Sequence, residues 1–365
     1  MFDRRLLINF DFILFITVLT IAGFGVANLY SICQSSWENS AVYFYRQIYW
    51  ILIGLAVMVF ILPLNYLNFV RYAYFLHVLV LLFLLVVIFL GKTKLGSQRW
   101  LTLGPFNIQP SELAKISFIF VLGKFFSEHA SLKPFGVFNM WLPLLFLGAT
   151  FALIFIQPDL GTAGIIVLLF ISVLFFMRIK IKSFLTGAII SAASLPLFWL
   201  FLKDYQKLRV RIFLNPELDP LRSGYQIIQS KIAIGSGGFL GKGYMLGTQN
   251  QLRFLPEQHT DFAFSVWGEE WGFAGCLVLL LLFFILLYRG LCIAFNVKNF
   301  SGSIISLCLV LLLFWQIFIN LSMTIGLFPV VGVPLPLFSY GGSSMVTTLV
   351  AIGLLLNIGM RKFKY

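Results

Sequence analysis

Residues 255–288 read LPEQHTDFAFSVWGEEWGFAGCLVLLLLFFILLY. Glu257, His259 and Asp261 crowd into five residues, and an apolar run begins at once. That run is long enough to cross a bilayer core, which takes about 20 residues of helix. It still carries Glu269 and Glu270 near its start. Ionisable groups at a membrane edge are costly to desolvate, and they mark sites. This one stretch therefore points to a membrane-spanning helix and to the place where chemistry is to be sought.

The pattern repeats on both sides of it. The chain has 365 residues, 60% hydrophobic and 11% charged, where a soluble domain has about 25% charged. Apolar runs fall at 10–31, 47–64, 71–91, 111–127, 140–156, 160–177, 183–202, 262–288, 303–327 and 343–360. They predict an all-α integral membrane protein, a single polytopic domain over 1–365 with ten transmembrane helices. A large extracytoplasmic segment, 203–261, separates helices 7 and 8. The run after Met1–Arg5 is longer than a signal-peptide core and is read as a retained first span. Cys33, Cys276, Cys292 and Cys308 are far apart, without metal or redox spacing, and are read as packing residues.

The net charge of +13 is explained by orientation, and nucleic acid is not an expected partner. With the N-terminus inside, the cytoplasmic loops collect Arg4, Arg5, Arg71, Lys124, Lys133, Arg178, Lys180, Lys182, Arg289, Lys298, Arg361, Lys362 and Lys364. The short outer loops keep only Arg46, Lys92, Lys94 and Arg99. This asymmetry places both termini in the cytoplasm. The outer segment breaks the pattern with Lys203, Lys207, Arg209, Arg211, Arg222, Lys231, Lys242 and Arg253. Such a surface suits an anionic ligand such as a pyrophosphate, or equally the anionic headgroups of the outer leaflet.

Depth sorts the remaining polar groups. Glu112 and Lys115 are three apart at the start of span four and share a helix face, behind Pro110. They are either a functional pair or an end-cap with a snorkelling lysine. Asp159 sits at the break between spans five and six, a site residue or simply an N-cap. Gln316 and Asn320 lie in the outer half of span nine, and His77, toward the inner half of span three, reads as a hydrogen-bonded packing residue. The inner half is otherwise nearly free of charge, which fits a cavity open to one face better than a path across the membrane. Asp261 is the leading candidate for a base, because partial desolvation raises a carboxylate pKa. The glycine-rich stretch 235–243 could cradle phosphate, although it lacks Walker spacing.

Several ordered blocks resemble the shape, elongation, division and sporulation family of bacterial cell-wall proteins. They are Gln109–Lys115, Gln157–Thr162, Leu255–Asp261 with Gly268-Glu269-Glu270, and a C-terminal block from Asn320 through Gly326–Pro336 to Ser339-Tyr340-Gly341-Gly342-Ser343-Ser344. Asn215–Pro220, Gln229–Gly237 and Val333–Pro336 are similar to the elongation branch rather than the division branch.

The resemblance implies a peptidoglycan glycosyltransferase acting in cell elongation and shape maintenance. It would polymerise lipid II on the outer face of the cytoplasmic membrane, with undecaprenyl pyrophosphate as leaving group. Asp261 matches the aspartate the family needs, and is expected to act as general base. Glu112, Lys115 and Asp159 match other polar positions tied to activity. Lys115, Arg99 or Lys242 is expected to contact the pyrophosphate, with His259 and Ser343 also in contact with substrate. A divalent cation, Mg2+ or Mn2+, is expected, held by Asp159 or Glu112. The expected partners are a class B penicillin-binding protein supplying transpeptidase activity, the undecaprenyl-pyrophosphate-linked glycan, and the elongation machinery. The rival readings are a lipid II flippase and a non-catalytic scaffold for wall assembly.

Overall fold

The computed structural model describes residues 8–34, 41–94, 97–103, 106–129, 137–177, 204–219, 223–252 and 254–362, with isolated positions between 186 and 202. In lipid, a backbone must satisfy its own N–H and C=O groups, so the apolar runs fold as helices. The first two are α1 (Phe12–Gln34) and α2 (Ala41–Ile61). Then come the short α3 (Tyr66–Arg71), α4 (Ala73–Leu90), α5 (Pro110–Glu128), α6 (Trp141–Ile156) and α7 (Leu160–Phe176). The segment expected on the outer side holds α8 (Asp204–Leu214), α9 (Ser223–Ser236) and α10 (Thr248–Gln251). Three long helices close the chain: α11 (Ala263–Asn296), α12 (Phe300–Thr324) and α13 (Gly342–Met360).

Six of these, α1, α2, α4, α11, α12 and α13, are long and apolar enough to cross a membrane. Helices α6 and α7 are apolar but shorter. The expected fourth span, α5, carries Glu112, Lys115, Lys124 and Glu128, yet most of its side chains are buried. It is a core helix packed against α4 and α12. A Cβ on Gly123 would lie 2.4 Å from Ile305 Cγ1, so only glycine permits this α5–α12 approach. The expected seventh span, 183–202, lies almost wholly outside the described residues, as do Arg4, Arg5, Lys133, Arg178, Lys180, Lys182, Lys203, Arg222, Arg253 and Lys364.

Two differences from the expectation bear on the site. The chain is not all-α: the loop before α5 forms a three-stranded antiparallel sheet in the order β1 (Lys92–Lys94), β2 (Ser97–Leu103), β3 (Phe106–Ile108). Leu101 pairs with Ile108 and Thr102 with Asn107, which fixes the strand that carries Arg99. The second difference is in α11, which breaks at Gly272 (φ 63°, ψ −161°). There the glycine-rich turn docks, with Phe273 N donating to Gly238 O at 2.9 Å and Ala274 N to Phe239 O at 3.0 Å.

Side-chain caps start the helices that frame the site. Asp159 accepts from Thr162 N at the head of α7, and Asn299 accepts from Ser301 N and Gly302 N at the head of α12. Pro110 opens α5, where its missing N–H costs nothing.

Candidate active site

Asp261 lies in the turn that leads into α11, and a helix from elsewhere in the chain fixes its backbone. Asn320 of α12 donates from Nδ2 to Asp261 O at 3.0 Å and to Val333 O at 2.8 Å. This amide ties the Asp261 turn to the 325–341 loop. Gly332 of that loop runs close by, so that a Cβ there would sit 3.6 Å from Asp261 Oδ2. The residue keeps some solvent access, but protein surrounds the carboxyl. Burial pushes it up to about 6, helped by the Glu257 carboxylate and opposed by the Arg209 and Arg99 guanidiniums. Arg209, from α8, donates to Val330 O at 3.0 Å. The result is a desolvated carboxylate within the field of two cations.

Arg99 also binds the turn between α6 and α7. Its Nε donates to Gln157 O at 3.3 Å, its Nη2 donates to Pro158 O, and its Nη1 lies 3.5 Å from Asp159 Oδ1. Asp159 is both N-cap and ion-pair partner, since Thr162 Oγ1 and Gln109 Nε2 also donate to Oδ2 at 3.0 and 3.1 Å. Gln109 N donates to Ser343 Oγ at 3.2 Å, bringing the head of α13 to the same cluster. Below it, Lys115 Nζ lies 2.7 Å from Glu112 Oε1, and the two residues are only 1% and 5% exposed. Glu112 Oε2 is buried without a hydrogen bond.

These donors do not fit a resident divalent cation. Both Asp159 oxygens already accept from protein groups, and Lys115 neutralises Glu112. Among the described residues, no group of three or more His, Cys, Asp or Glu side chains could hold a metal ion.

Lys242 does not join the Asp261 cluster. Its Nζ pairs with Glu269 Oε1 at 2.7 Å and donates to Thr248 Oγ1 at 2.8 Å. The glycine-rich turn is likewise no phosphate cradle. Lys242 N and Gly243 N donate to Glu269 O and Glu270 O, both at 3.0 Å. A Cβ on Gly241 would fall 2.1 Å from Glu270 O, so the glycines serve close backbone packing against α11. Glu270 accepts from Ser31 of α1 and, at 3.4 Å, from Asn250 Nδ2. The two glutamates thus hold the outer segment on α11 and α1.

His259 sits in the same turn as Asp261. Burial lowers its pKa, with Glu257 opposing. Its Nε2 is 3.9 Å from Glu257 Oε2. The backbone carbonyl of His259 accepts from Tyr340 N at 2.9 Å. Gln47 of α2 steadies the next residues, with Nε2 donating to Ser339 O at 3.2 Å and Oε1 accepting from Gly341 N at 3.4 Å. His77 is fully buried, bonded to Ser117 Oγ at 2.8 Å and Thr150 Oγ1 at 3.0 Å, a satisfied clamp between α4, α5 and α6. Sequence reasoning missed Arg209 and Gln109 as site residues. Arg209 was one of eight basic residues in the outer segment, and only the fold selects it.

Fold and site together define a polytopic helical membrane protein with a carboxylate–arginine cluster at the heads of its helices. A family model described as a cell cycle protein, covering FtsW, RodA and SpoVE, matches residues 11–364. The chain is 41% identical over 314 residues to peptidoglycan glycosyltransferase MrdB of Escherichia coli, spanning 86% of this chain and 84% of MrdB. It is 36% identical to stage V sporulation protein E of Bacillus subtilis, over 95% of this chain and 96% of that protein. Among solved structures, it superposes on a chain of a peptidoglycan synthase complex, described for its coordination of polymerization and crosslinking, with TM-score 0.84, 32% identity and coverage of 98% and 99%. Thermus thermophilus RodA gives TM-score 0.72 at 29% identity, covering 97% of this chain and 98% of that one. The chain belongs to the FtsW/RodA/SpoVE family.

Proposed function

We propose that this protein is a peptidoglycan glycosyltransferase of the elongation type, polymerising lipid II at the outer face of the cytoplasmic membrane. One observation carries the mechanism: a desolvated carboxyl, Asp261, raised to about 6 beside two arginines. At pH 7 that carboxyl is ionised by roughly ten to one, and its pKa is near the operating pH, as a general base requires. Asp261 takes the proton of the acceptor 4-hydroxyl as its oxygen attacks the anomeric carbon. The anomeric C–O bond breaks, and the electron pair leaves with undecaprenyl pyrophosphate. A single displacement inverts the centre and needs no acid, because the leaving group departs as a stable anion. Arg99 and Arg209 stabilise the departing charge, while the buried Lys115–Glu112 pair beneath them braces the head of α5. Asp159, Gln109 and Ser343 orient Arg99 and the head of α13.

The family resemblance motivates a divalent cation. The carboxylates present do not form a site for it, so no step is routed through one. Ten spans with both termini inside remain the arrangement favoured by loop charge. Likeness to a chain of a peptidoglycan synthase complex supports a class B penicillin-binding protein as partner.

The test is reconstitution. Purified protein, lipid II and Mg2+ in detergent should give glycan polymer on a gel. Asp261→Asn should lower it by at least about 10²-fold, the worth of a positioned base. Near-normal polymer from that variant would remove Asp261 as base.

A further inference from the structure

Asp261 and the arginines account for the base and the leaving group, but not for the sugar that brings the attacking hydroxyl. A cluster of rings beside them has no role so far. Tyr43, in the first turn of α2, has its ring centroid 4.8 Å from that of His259 and 5.2 Å from that of Tyr340. His259 and Tyr340 are 5.9 Å apart. The Arg46 guanidinium lies near the Tyr340 hydroxyl and favours its ionised form, against burial. His259 is two residues from Asp261, and its carbonyl accepts from Tyr340 N. The trio is therefore built onto the turn that carries the base.

Tyrosines at a membrane interface are commonly lipid anchors. Tyr45 and Tyr49 on α2 fit that description, with 68% and 48% of their surface exposed. Tyr43 is on a different face. It is one helical turn from Gln47, which is buried and bonded to Ser339 O and Gly341 N. That face looks onto the 339–343 loop. At one end of this loop, Ser343 meets the Gln109–Asp159–Arg99 cluster. At the other end, Tyr340 joins the rings. The loop thus has a charged end and an aromatic end, and the partly exposed Tyr43 remains accessible at the second.

We propose that Tyr43, His259 and Tyr340 form a saccharide subsite, which takes the acetamido-sugar ring of the acceptor and presents its hydroxyl to Asp261. The inference rests on the glycosyltransferase reading and deepens it. A pyranose has an apolar C–H face and a polar equatorial rim. Aromatic faces, that of Tyr43 above all, match the first, while the Tyr340 hydroxyl, the imidazole and Arg46 match the second. The displacement needs two sugars, and only the donor must have its pyrophosphate at the reacting carbon. The arginine end suits that donor, and the aromatic end suits an uncharged ring.

The test uses the purified full chain in detergent and a soluble oligosaccharide of N-acetylglucosamine as probe. Saturation-transfer NMR reads its binding, and a gel reads strand length made from lipid II. Wild type, Tyr43→Phe and the lipid-facing control Tyr45→Leu should bind alike. Tyr43→Leu should bind about five- to tenfold more weakly, the worth of one aromatic face, and should make shorter strands. Unchanged binding by Tyr43→Leu would overturn the subsite, as would absence of transfer to the probe with wild type. Equal loss in Tyr43→Phe and Tyr43→Leu would also overturn it, because the hydroxyl rather than the ring would then matter. The two readings fail differently. Without polymer from wild type, the glycosyltransferase reading falls; with polymer from wild type but no effect of Tyr43→Leu on binding or strand length, only the subsite falls.

Discussion

Asp261 works only when ionised, so its raised pKa sets the sign of the pH dependence. Below about 6, kcat/KM for polymerisation should fall tenfold per unit, and above it should level off. A pH–rate profile on detergent-solubilised protein checks this. The same shift acts on stability in the opposite sense. A carboxyl raised on folding holds its proton more tightly in the folded state, so its contribution is lost as pH rises from the ordinary carboxylate range to about 6. Asp261→Asn should therefore unfold at a higher temperature than wild type at pH 7 while losing activity. Equal or lower thermal stability would count against the desolvated carboxyl. The Glu112–Lys115 pair gives a second residue-scale prediction. Both groups are buried, and leaving one without its partner costs about 3–5 kcal/mol. Exchanging the charges, Glu112→Lys with Lys115→Glu, should restore more folded protein than either single change, as measured by thermal unfolding. Additive losses would show that the two residues act separately.

At the scale of elements, legibility followed sequence distance. Glu112 and Lys115 could be placed on one face because they are three apart in a helix, and Asp159 read as a cap because the next apolar run begins beside it. The long run after Asp261 named its own helix. Contacts closed by tertiary packing carried no local signal. Asn320 reaches Asp261 O across 59 residues, and Arg209 reaches Val330 O across 121. The sheet that holds Arg99 consists of strands of three, seven and three residues, too short for an alternation to stand out. The glycine-rich turn misled because phosphate cradles and close helix packing use the same residue for the same reason, the missing Cβ. Its packing role is testable. Gly241 has φ +83° and no room for a Cβ beside Glu270 O. Gly241→Ala should destabilise the protein by about 1–3 kcal/mol, read as a lowered unfolding temperature in detergent. An unchanged temperature would mean that the turn does not dock on α11 as described.

Among the described residues, Asp261, Arg99 and Asp159 meet at the heads of α5, α7, α11 and α13, while the Arg289–Asp11 and Lys124–Glu128 pairs lie at the opposite ends of α11 and α5. His77 lies apart from this group and is fully hydrogen-bonded, so it does not extend the site into a transverse path. This distribution favours an enzyme open to one face over a flippase. It also predicts labelling in a cysteine-free background. Glu217→Cys should react with an impermeant thiol reagent from outside, and Lys298→Cys only after permeabilisation; the opposite pattern would invert the orientation. The most direct test of the outward-facing polymerase supplies substrate to one face only. Sealed vesicles with the outer segment facing the medium, given external lipid II, Mg2+ and the partner transpeptidase, should build glycan without precursor from the lumen. Translocation of labelled lipid II with no polymer, under the same conditions, would contradict the account.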